Sequence, residues 1–282
     1  MNIIHDIDNI KKRIKEYKKD ELSIGFVPTM GYLHEGHESL IKKACIENDK
    51  VVVSVFVNPI QFGANEDLSN YPKDIKKDID ICEKLGVDIV FNPKAKTMYN
   101  EDFSTFIEVE NLTKGLCGKS RPTHFKGVCT VVNKLFNIVN PDRAYFGQKD
   151  AQQLAVIKKM VRDLNMDIEI IGCPIIREKD GLAKSSRNTY LTIEERKAAT
   201  IINKTLNEAK KLIVEGERNS ENIINFIKNE ITLEPLAKID YIDIVDINRL
   251  EDIKTIEHEV LVAIAVFIGK TRLIDNFIYD EI

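Results

Sequence analysis

Seven consecutive residues, Val51 to Val57 (V-V-V-S-V-F-V), show no polar alternation and are mostly β-branched, the pattern of a strand covered on both faces. A strand of that kind needs helices packed on each side of its sheet, which constrains the chain to an α/β architecture. Its neighbours agree. Ile24 to Val27 reads as a buried strand end, and Val87 to Phe91, Phe106 to Val109, Arg143 to Phe146 and Ile168 to Ile176 read as further strands. Between them, Tyr71 to Leu85, Gly127 to Val139 and Asp150 to Asn165 repeat apolar residues at helical spacing. Repeated β-α-β predicts a doubly wound parallel sheet with ligands at the carboxyl ends of its strands. After about Arg177 the pattern changes. A capping box, Thr192 with Glu195, opens a helix to about Val214, Ser220 is expected to cap a second, and strands follow at Tyr241 to Val245 and Glu259 to Val266. The expected organisation is an α/β domain over residues 1–176 and a smaller C-terminal α+β domain over 177–282.

Composition removes several function classes. The chain of 282 residues carries 41 Lys plus Arg against 45 Asp plus Glu, a net charge of −4, which argues against a nucleic-acid or anionic-membrane surface. Its longest apolar run, Val260 to Ile268, is too short to span a bilayer, and Met1 to Lys19 alternates charge without an apolar signal core. A cytoplasmic protein is expected. The cysteines Cys45, Cys82, Cys117, Cys129 and Cys173 are odd in number and form no C-x-x-C pair, so they read as reduced core residues.

The decapeptide Thr29 to Glu38, T-M-G-Y-L-H-E-G-H-E, places His34 and His37 between a strand end and a helix start. Gly31 and Gly36 free the backbone to turn, and apolar residues from Leu40 onward show helical spacing. A helix starting near Gly36 has unpaired N–H groups in its first turn, which suit an anion. An imidazolium beside them would neutralise charge growing on a pyrophosphate leaving group, so nucleotidyl transfer is the first hypothesis. Alone, an H-x-G-H is as often an ordinary turn.

Competing motifs fail. There is no G-x-G, hence no dinucleotide fingerprint. Gly118-Lys119-Ser120 imitates the tail of a P-loop, but Thr113 stands where its first glycine belongs and Pro122 interrupts the helix that should follow. The two histidines are three apart, not four, which excludes the helical zinc-hydrolase motif. Three further clusters remain. Gly147-Gln148-Lys149-Asp150-Ala151-Gln152-Gln153 follows a strand, with Asp150 suited to an N-cap, Lys149 to phosphate and Gln153 one turn on. Lys184-Ser185-Ser186-Arg187-Asn188 offers small hydroxyls and two cations to a triphosphate. Phe56-Val57-Asn58-Pro59-Ile60-Gln61-Phe62 ends a buried strand with two amides suited to a small polar substrate.

Taken together, P-T-M-G-Y-L-H-E-G-H at Pro28 to His37, F-V-N-P-I-Q-F at Phe56 to Phe62, R-P-T-H-F-K-G-V at Arg121 to Val128, the G-Q-K-D-A-Q-Q run, and D-G-L-A-K-S-S-R-N at Asp180 to Asn188 resemble the pantothenate synthetase family over essentially the whole chain. The resemblance implies a Rossmann-like nucleotidyl transferase fold and an ATP-dependent ligase that joins (R)-pantoate to β-alanine through a pantoyl adenylate, with ATP as co-substrate and Mg²⁺ as cofactor. The runner-up is a related nucleotidylyltransferase acting on a small phosphate or carboxylate substrate, and a non-enzymatic nucleotide sensor is a third reading. By the same resemblance Met30, Gly31, Tyr32, Leu33, His34, Glu35, Gly36 and His37 bind ATP, with His37 in the proton-donor position and activity dependent on a protonated histidine. Gly147, Gln148, Lys149, Asp150, Lys184, Ser185, Ser186 and Arg187 hold ATP as well, Lys149 and Arg187 supplying the main counter-charges, and the Ile176 backbone meets adenine. Gln61 and Gln153 hold pantoate, and Asn58 helps to seat β-alanine. The Lys184 to Asn188 loop and the C-terminal domain are expected to close as a lid. Glu66, Asp67 and Asp150 are the acidic candidates for metal. The family is commonly dimeric, so a homodimer is expected, with Phe106 to Val109 as the strand to test.

Overall fold

The β-branched run folds as its pattern requires, as the strand Lys50–Val55, with Val51 to Val53 and Ser54 at most 2 % exposed. In chain order the elements are β1 Asn2–Ile4, α1 Ile7–Lys19, β2 Ile24–Thr29, α2 Glu35–Glu47, β3 Lys50–Val55, α3 Ile75–Lys84, β4 Ile89–Phe91, α4 Ala95–Met98, α5 Leu116–Ser120, α6 His124–Val139, β5 Arg143–Gly147, α7 Ala151–Asp163 and β6 Glu169–Cys173, followed by α8 Ile193–Val214, α9 Ser220–Thr232, β7 Ala237–Asp246, β8 Val260–Ile268 and β9 Thr271–Tyr279. The computed structural model describes residues 1–280 apart from 64, 65 and 67. The described chain divides into two units: one comprises residues 1–109, 121–148 and 156–174, the other residues 110–120, 149–155 and 175–282.

In the first unit six parallel strands run in the order β1-β4-β3-β2-β5-β6. The order reverses beside β2, with β3 on one side and β5 on the other, and that reversal is where a doubly wound sheet opens a crevice at its carboxyl edge. On one face α2 packs Leu40, Ile41 and Ala44 against Val27, Val51, Val53 and Tyr145. Phe136 of α6 meets Phe26 and Phe146 edge-on, with centroids 6.3 and 6.4 Å apart.

Several elements differ from the expectation. Phe106 to Val109 is not a strand: the Ile107 N–H donates to the Thr130 Oγ1 of α6 at 3.0 Å instead of to a sheet neighbour. The charged N-terminus, for which the sequence pattern predicts no element, forms β1 and α1; α1 buries Ile10 and Ile14, and the Asp6 side chain caps it by accepting the Asn9 N–H. Asp150 closes a 3₁₀ turn, Gln148–Asp150, ahead of α7.

The second unit holds the antiparallel sheet β7-β8-β9. The capping box of Thr192 and Glu195 opens α8 as expected. Asn219 rather than Ser220 caps α9: its side chain accepts the Asn222 N–H, and Ser220 enters the first turn, 2 % exposed. Three strands form where the sequence pattern predicts two, because Gly269 and Lys270 make a tight hairpin that returns the chain as β9. Gly269 has φ +57, and a Cβ there would come 3.0 Å from the Glu195 carboxyl carbon. Ile223, Ile227 and Ile231 of α9, Ile202 and Leu206 of α8, and Val262, Ile264 and Val266 of β8 make the core. Ile227→Ala, at a fully buried site, is expected to destabilise this unit by about 2–5 kcal/mol in urea unfolding. A change within about 0.5 kcal/mol, the scale of surface substitutions, would contradict this packing.

Candidate active site

The turn after β2 is built around a buried carboxylate. Thr29 Oγ1 donates to the Ser54 carbonyl at 2.7 Å and accepts the Gly31 N–H at 3.1 Å. Gly31 then adopts φ +84, where a Cβ would come 2.8 Å from Val55 Cγ1 and 2.9 Å from Asp78 Oδ2, so only glycine fits. The next two N–H groups, of Tyr32 and Leu33, donate to Asp78 of α3 at 2.9 and 2.7 Å. Asp78 is 1 % exposed. Burial pushes its carboxyl above the usual range, and the two backbone hydrogen bonds oppose that shift without cancelling it.

That turn delivers His34 as the N-cap of α2. Its Nδ1 accepts the Gly36 N–H at 3.1 Å, and its own N–H points to His37 Nδ1 at 3.4 Å, a reciprocal cap made by two imidazoles. A backbone N–H only donates, so both Nδ1 atoms are acceptors here and each ring carries its proton on Nε2. The ring centroids lie 4.1 Å apart, where two positive charges would repel by about 4 kcal/mol at an effective dielectric of 20. The arrangement therefore favours two neutral Nε2–H donors over the imidazolium expected from sequence. It also modifies the expected open helix end, since the Gly36 N–H is engaged by His34.

Met30, Asn58 and Gln61 come together in the same unit. Gln61 Nε2 donates to Met30 Sδ at 3.0 Å, and Gln61 Oε1 accepts from Asn58 Nδ2 at 3.0 Å. Asn58 is 1 % exposed, donates also to the Gly127 carbonyl at 3.1 Å, and accepts the Tyr99 hydroxyl at 2.7 Å. With both amide hydrogens engaged and its oxygen accepting from Tyr99, Asn58 orients Gln61.

Lys149, Asp150, Gln153, Ile176 and Lys184 to Arg187 belong to the second unit, whereas Glu35, Gly147, the last residue of β5, and Gln148 belong to the first. Lys149 Nζ lies 3.9 Å from Asp150 Oδ2, and the Lys149 carbonyl accepts from Asn276 Nδ2 at 2.9 Å. Gln153 is half-buried on α7. Its neighbour Gln152 is buried: Oε1 accepts the Cys117 N–H while Nε2 donates to the Leu112 and Gly115 carbonyls, each at 2.9 Å. Ile176 accepts the Lys184 N–H at 2.9 Å, and Arg177 pairs with Ala183 across a short hairpin turned by Gly181. Ser185 caps the 3₁₀ turn Ser186–Tyr190 by accepting the Arg187 N–H at 3.2 Å. Glu178 gathers Lys184 (3.6 Å), Arg196 (3.0 Å) and the Asn188 amide (3.0 Å). Burial raises its carboxyl, and these partners outweigh that and hold it below the usual range. The Lys184 to Asn188 loop is thus braced from several directions within its own unit.

The described acidic metal candidates, Glu66 and Asp150, each face a cationic side chain. Glu66 takes two hydrogen bonds from Arg121, Asp150 stands beside Lys149, and Asp67 lies outside the described residues. Among the described residues no group of three His, Cys, Asp or Glu could hold a metal ion. Sequence reasoning missed Asp78, Tyr99, Gln152 and Glu178; only Gln152, inside the G-Q-K-D-A-Q-Q run, had a motif to betray it.

Residues 2–278 match the family model described as pantoate-beta-alanine ligase. The chain is 61 % identical over 280 residues to the pantothenate synthetase of Enterococcus faecalis, covering 99 % of each, and 61 % identical over 280 residues to that of Clostridium acetobutylicum, covering 99 % of this chain and all of the relative. A crystal structure of pantothenate synthetase from Thermus thermophilus superposes with TM-score 0.94 at 40 % identity, over 98 % of this chain and 99 % of that one. A pantoate-beta-alanine ligase from Francisella tularensis, complexed with beta-gamma ATP and beta-alanine, superposes with TM-score 0.80 at 39 % identity, over 98 % and 97 %.

Asp78→Ala leaves the buried Leu33 N–H without its acceptor, at a cost of roughly 1–3 kcal/mol, and removes the acceptor of the partly buried Tyr32 N–H as well. A lower unfolding midpoint for the first unit is expected, and an unchanged midpoint would contradict the role given to this carboxylate.

Proposed function

The chain belongs to the pantoate-beta-alanine ligase family, and from that membership we infer how its own residues join pantoate to β-alanine. It is an ATP-dependent, AMP-forming carbon–nitrogen ligase with a doubly wound parallel sheet. A nucleotidylyltransferase that stops after nucleotide transfer is not favoured by full-length likeness to pantothenate synthetases.

A carboxylate resists a nucleophile because its charge repels the incoming lone pair. Pantoate therefore first attacks the α-phosphorus of ATP through a carboxylate oxygen; the bond to the bridging oxygen breaks and pyrophosphate leaves. The amine of β-alanine then attacks the acyl carbon of the pantoyl adenylate, AMP departs with the electron pair, and the amine loses a proton. In this reading His34 and His37 direct two Nε2–H donors at the phosphates, where they stabilise charge that grows only in the transition state. The observation that carries it is the reciprocal histidine cap at the end of β2. His37 acts by hydrogen bonding rather than by giving up a proton.

Lys149, Lys184 and Arg187 supply permanent positive charge to ATP, with Ser185 and Ser186 as small hydroxyl donors and Ile176 beside adenine through its backbone. Met30 to Leu33, Glu35, Gly36 and Gly147 to Asp150 shape the nucleotide site. Gln61 and Gln153 hold pantoate by its hydroxyls and carboxylate, and Asn58 holds Gln61 and helps to seat β-alanine. Mg²⁺ bound with ATP would neutralise charge on the triphosphate. No helix among the described residues is long and apolar enough to cross a membrane; a cytoplasmic homodimer is part of the proposal.

Pyrophosphate release from ATP and pantoate without β-alanine isolates the first step. His37→Ala and Lys149→Ala are each expected to slow it by about 10²–10³-fold, the scale of losing one charge-stabilising donor, with circular dichroism unchanged. Release at the wild-type rate by either variant would contradict the assignment. AMP should appear under turnover only when β-alanine is present.

A further inference from the structure

The R-P-T-H-F-K-G-V segment belongs to the resemblance but has no part in either chemical step. It opens α6, and the His124 side chain turns toward the backbone of Gln61. His124 Nδ1 lies 3.0 Å from the Gln61 carbonyl oxygen, and its Nε2 lies 3.1 Å from Arg121 Nη1. A guanidinium only donates and a carbonyl only accepts, so these two bonds fix one tautomer: Nε2 accepts and Nδ1–H donates to Gln61. Arg121 is held in turn by Glu66, through Nε to Oε1 at 2.9 Å and through Nη2 to Oε2. Burial raises the Glu66 carboxyl, but the Arg121 hydrogen bond and charge outweigh it and keep the group ionised below its ordinary value.

A second contact converges on the same backbone. A Cβ on Gly127 would come 2.5 Å from Gln61 Cα and 2.6 Å from Gln61 N, so the α6 backbone at this position abuts the turn Pro59–Gln61 directly. The Gly127 carbonyl also accepts from Asn58 Nδ2, the atom that holds the Gln61 side chain. The first turn of α6 thus contacts Gln61 three ways: by hydrogen bond to its carbonyl, by close approach to its Cα, and through Asn58 to its amide.

We propose that His124, oriented by Arg121 and Glu66, is a positioning residue that sets Gln61 for pantoate, with Gly127 as the seat against which the turn rests. The inference rests on the reading of Gln61 as a pantoate ligand. No charge is moved in this device; its work is to hold one amide within the narrow tolerance that productive binding needs, where a misplacement of about 1 Å costs about 10²-fold.

The test is steady-state kinetics with pantoate and ATP varied separately. Gln61→Ala checks the underlying reading: if its KM for pantoate is that of wild type, Gln61 does not hold pantoate and the reading itself fails. Given a raised value there, His124→Leu, which removes the donor at similar bulk, is expected to raise the KM for pantoate about ten- to a hundredfold and leave the KM for ATP within about twofold. His124→Asn, whose Nδ2 can occupy the place of the ring Nδ1, is expected to restore pantoate KM to within about threefold of wild type, since it returns a neutral donor to the Gln61 carbonyl. An unchanged pantoate KM in His124→Leu, an equal rise for both substrates, or a natively folded His124→Asn impaired tenfold or more would each overturn the proposal. Should His124→Leu not fold, the His124→Asn result decides alone.

Discussion

One buried carboxylate underlies the geometry at the end of β2. Asp78 arrives from α3 and takes the N–H groups of Tyr32 and Leu33, which have no strand or helix partner of their own. With those two satisfied, the chain can pass through the left-handed conformations of Gly31 and Tyr32 (φ +84 and +54) and bury Leu33 fully. Only then does His34 reach the position from which it caps α2. The raised carboxyl of Asp78 reflects the cost of burial, borne where the turn must be most tightly held.

The proposed mechanism divides labour between permanent cations and neutral donors. Lysine and arginine are cationic groups, which is why Lys149, Lys184 and Arg187 are proposed for the ground-state task of holding a polyanion. The two histidines are arranged differently. Each gives its Nδ1 to a backbone N–H and keeps Nε2–H as a donor of fixed direction, the geometry the proposal uses for charge building on a departing pyrophosphate. Amides repeat the theme at the site proposed for pantoate. Gln61 is held by Asn58 from its side chain and by His124 from its carbonyl, so its orientation is settled before a ligand arrives.

What the sequence could reveal depended on how local each cause was. Val51 to Val55 is apolar in a nearly unbroken run, and Thr192 with Glu195 satisfies a cap within four residues, so β3 and α8 are legible without the fold. Phe106 to Val109 has the composition of a strand but finds its partner in the Thr130 hydroxyl, a tertiary choice that composition does not encode. β9 contains Asp275 and Asn276, which obscure its pattern, yet Asp275 is buried by pairing with Arg177, 98 positions away in sequence. The histidines and lysines stood out as motifs. Asp78 did not, because it lies 46 positions from the Tyr32 N–H it serves and its own helix reads as ordinary. The imidazole tautomers were likewise beyond sequence: the same H-E-G-H letters permit an imidazolium, and only the reciprocal cap distinguishes the neutral form.

The most direct test of this account is the protonation of the two imidazoles, read by nitrogen-15 and proton correlation spectra of histidine-labelled protein near neutral pH, with His34→Gln and His37→Gln variants to assign the signals. The account predicts that both rings carry a single proton, on Nε2, with Nδ1 unprotonated. A proton on Nδ1 of either ring, alone or as part of an imidazolium, would contradict it.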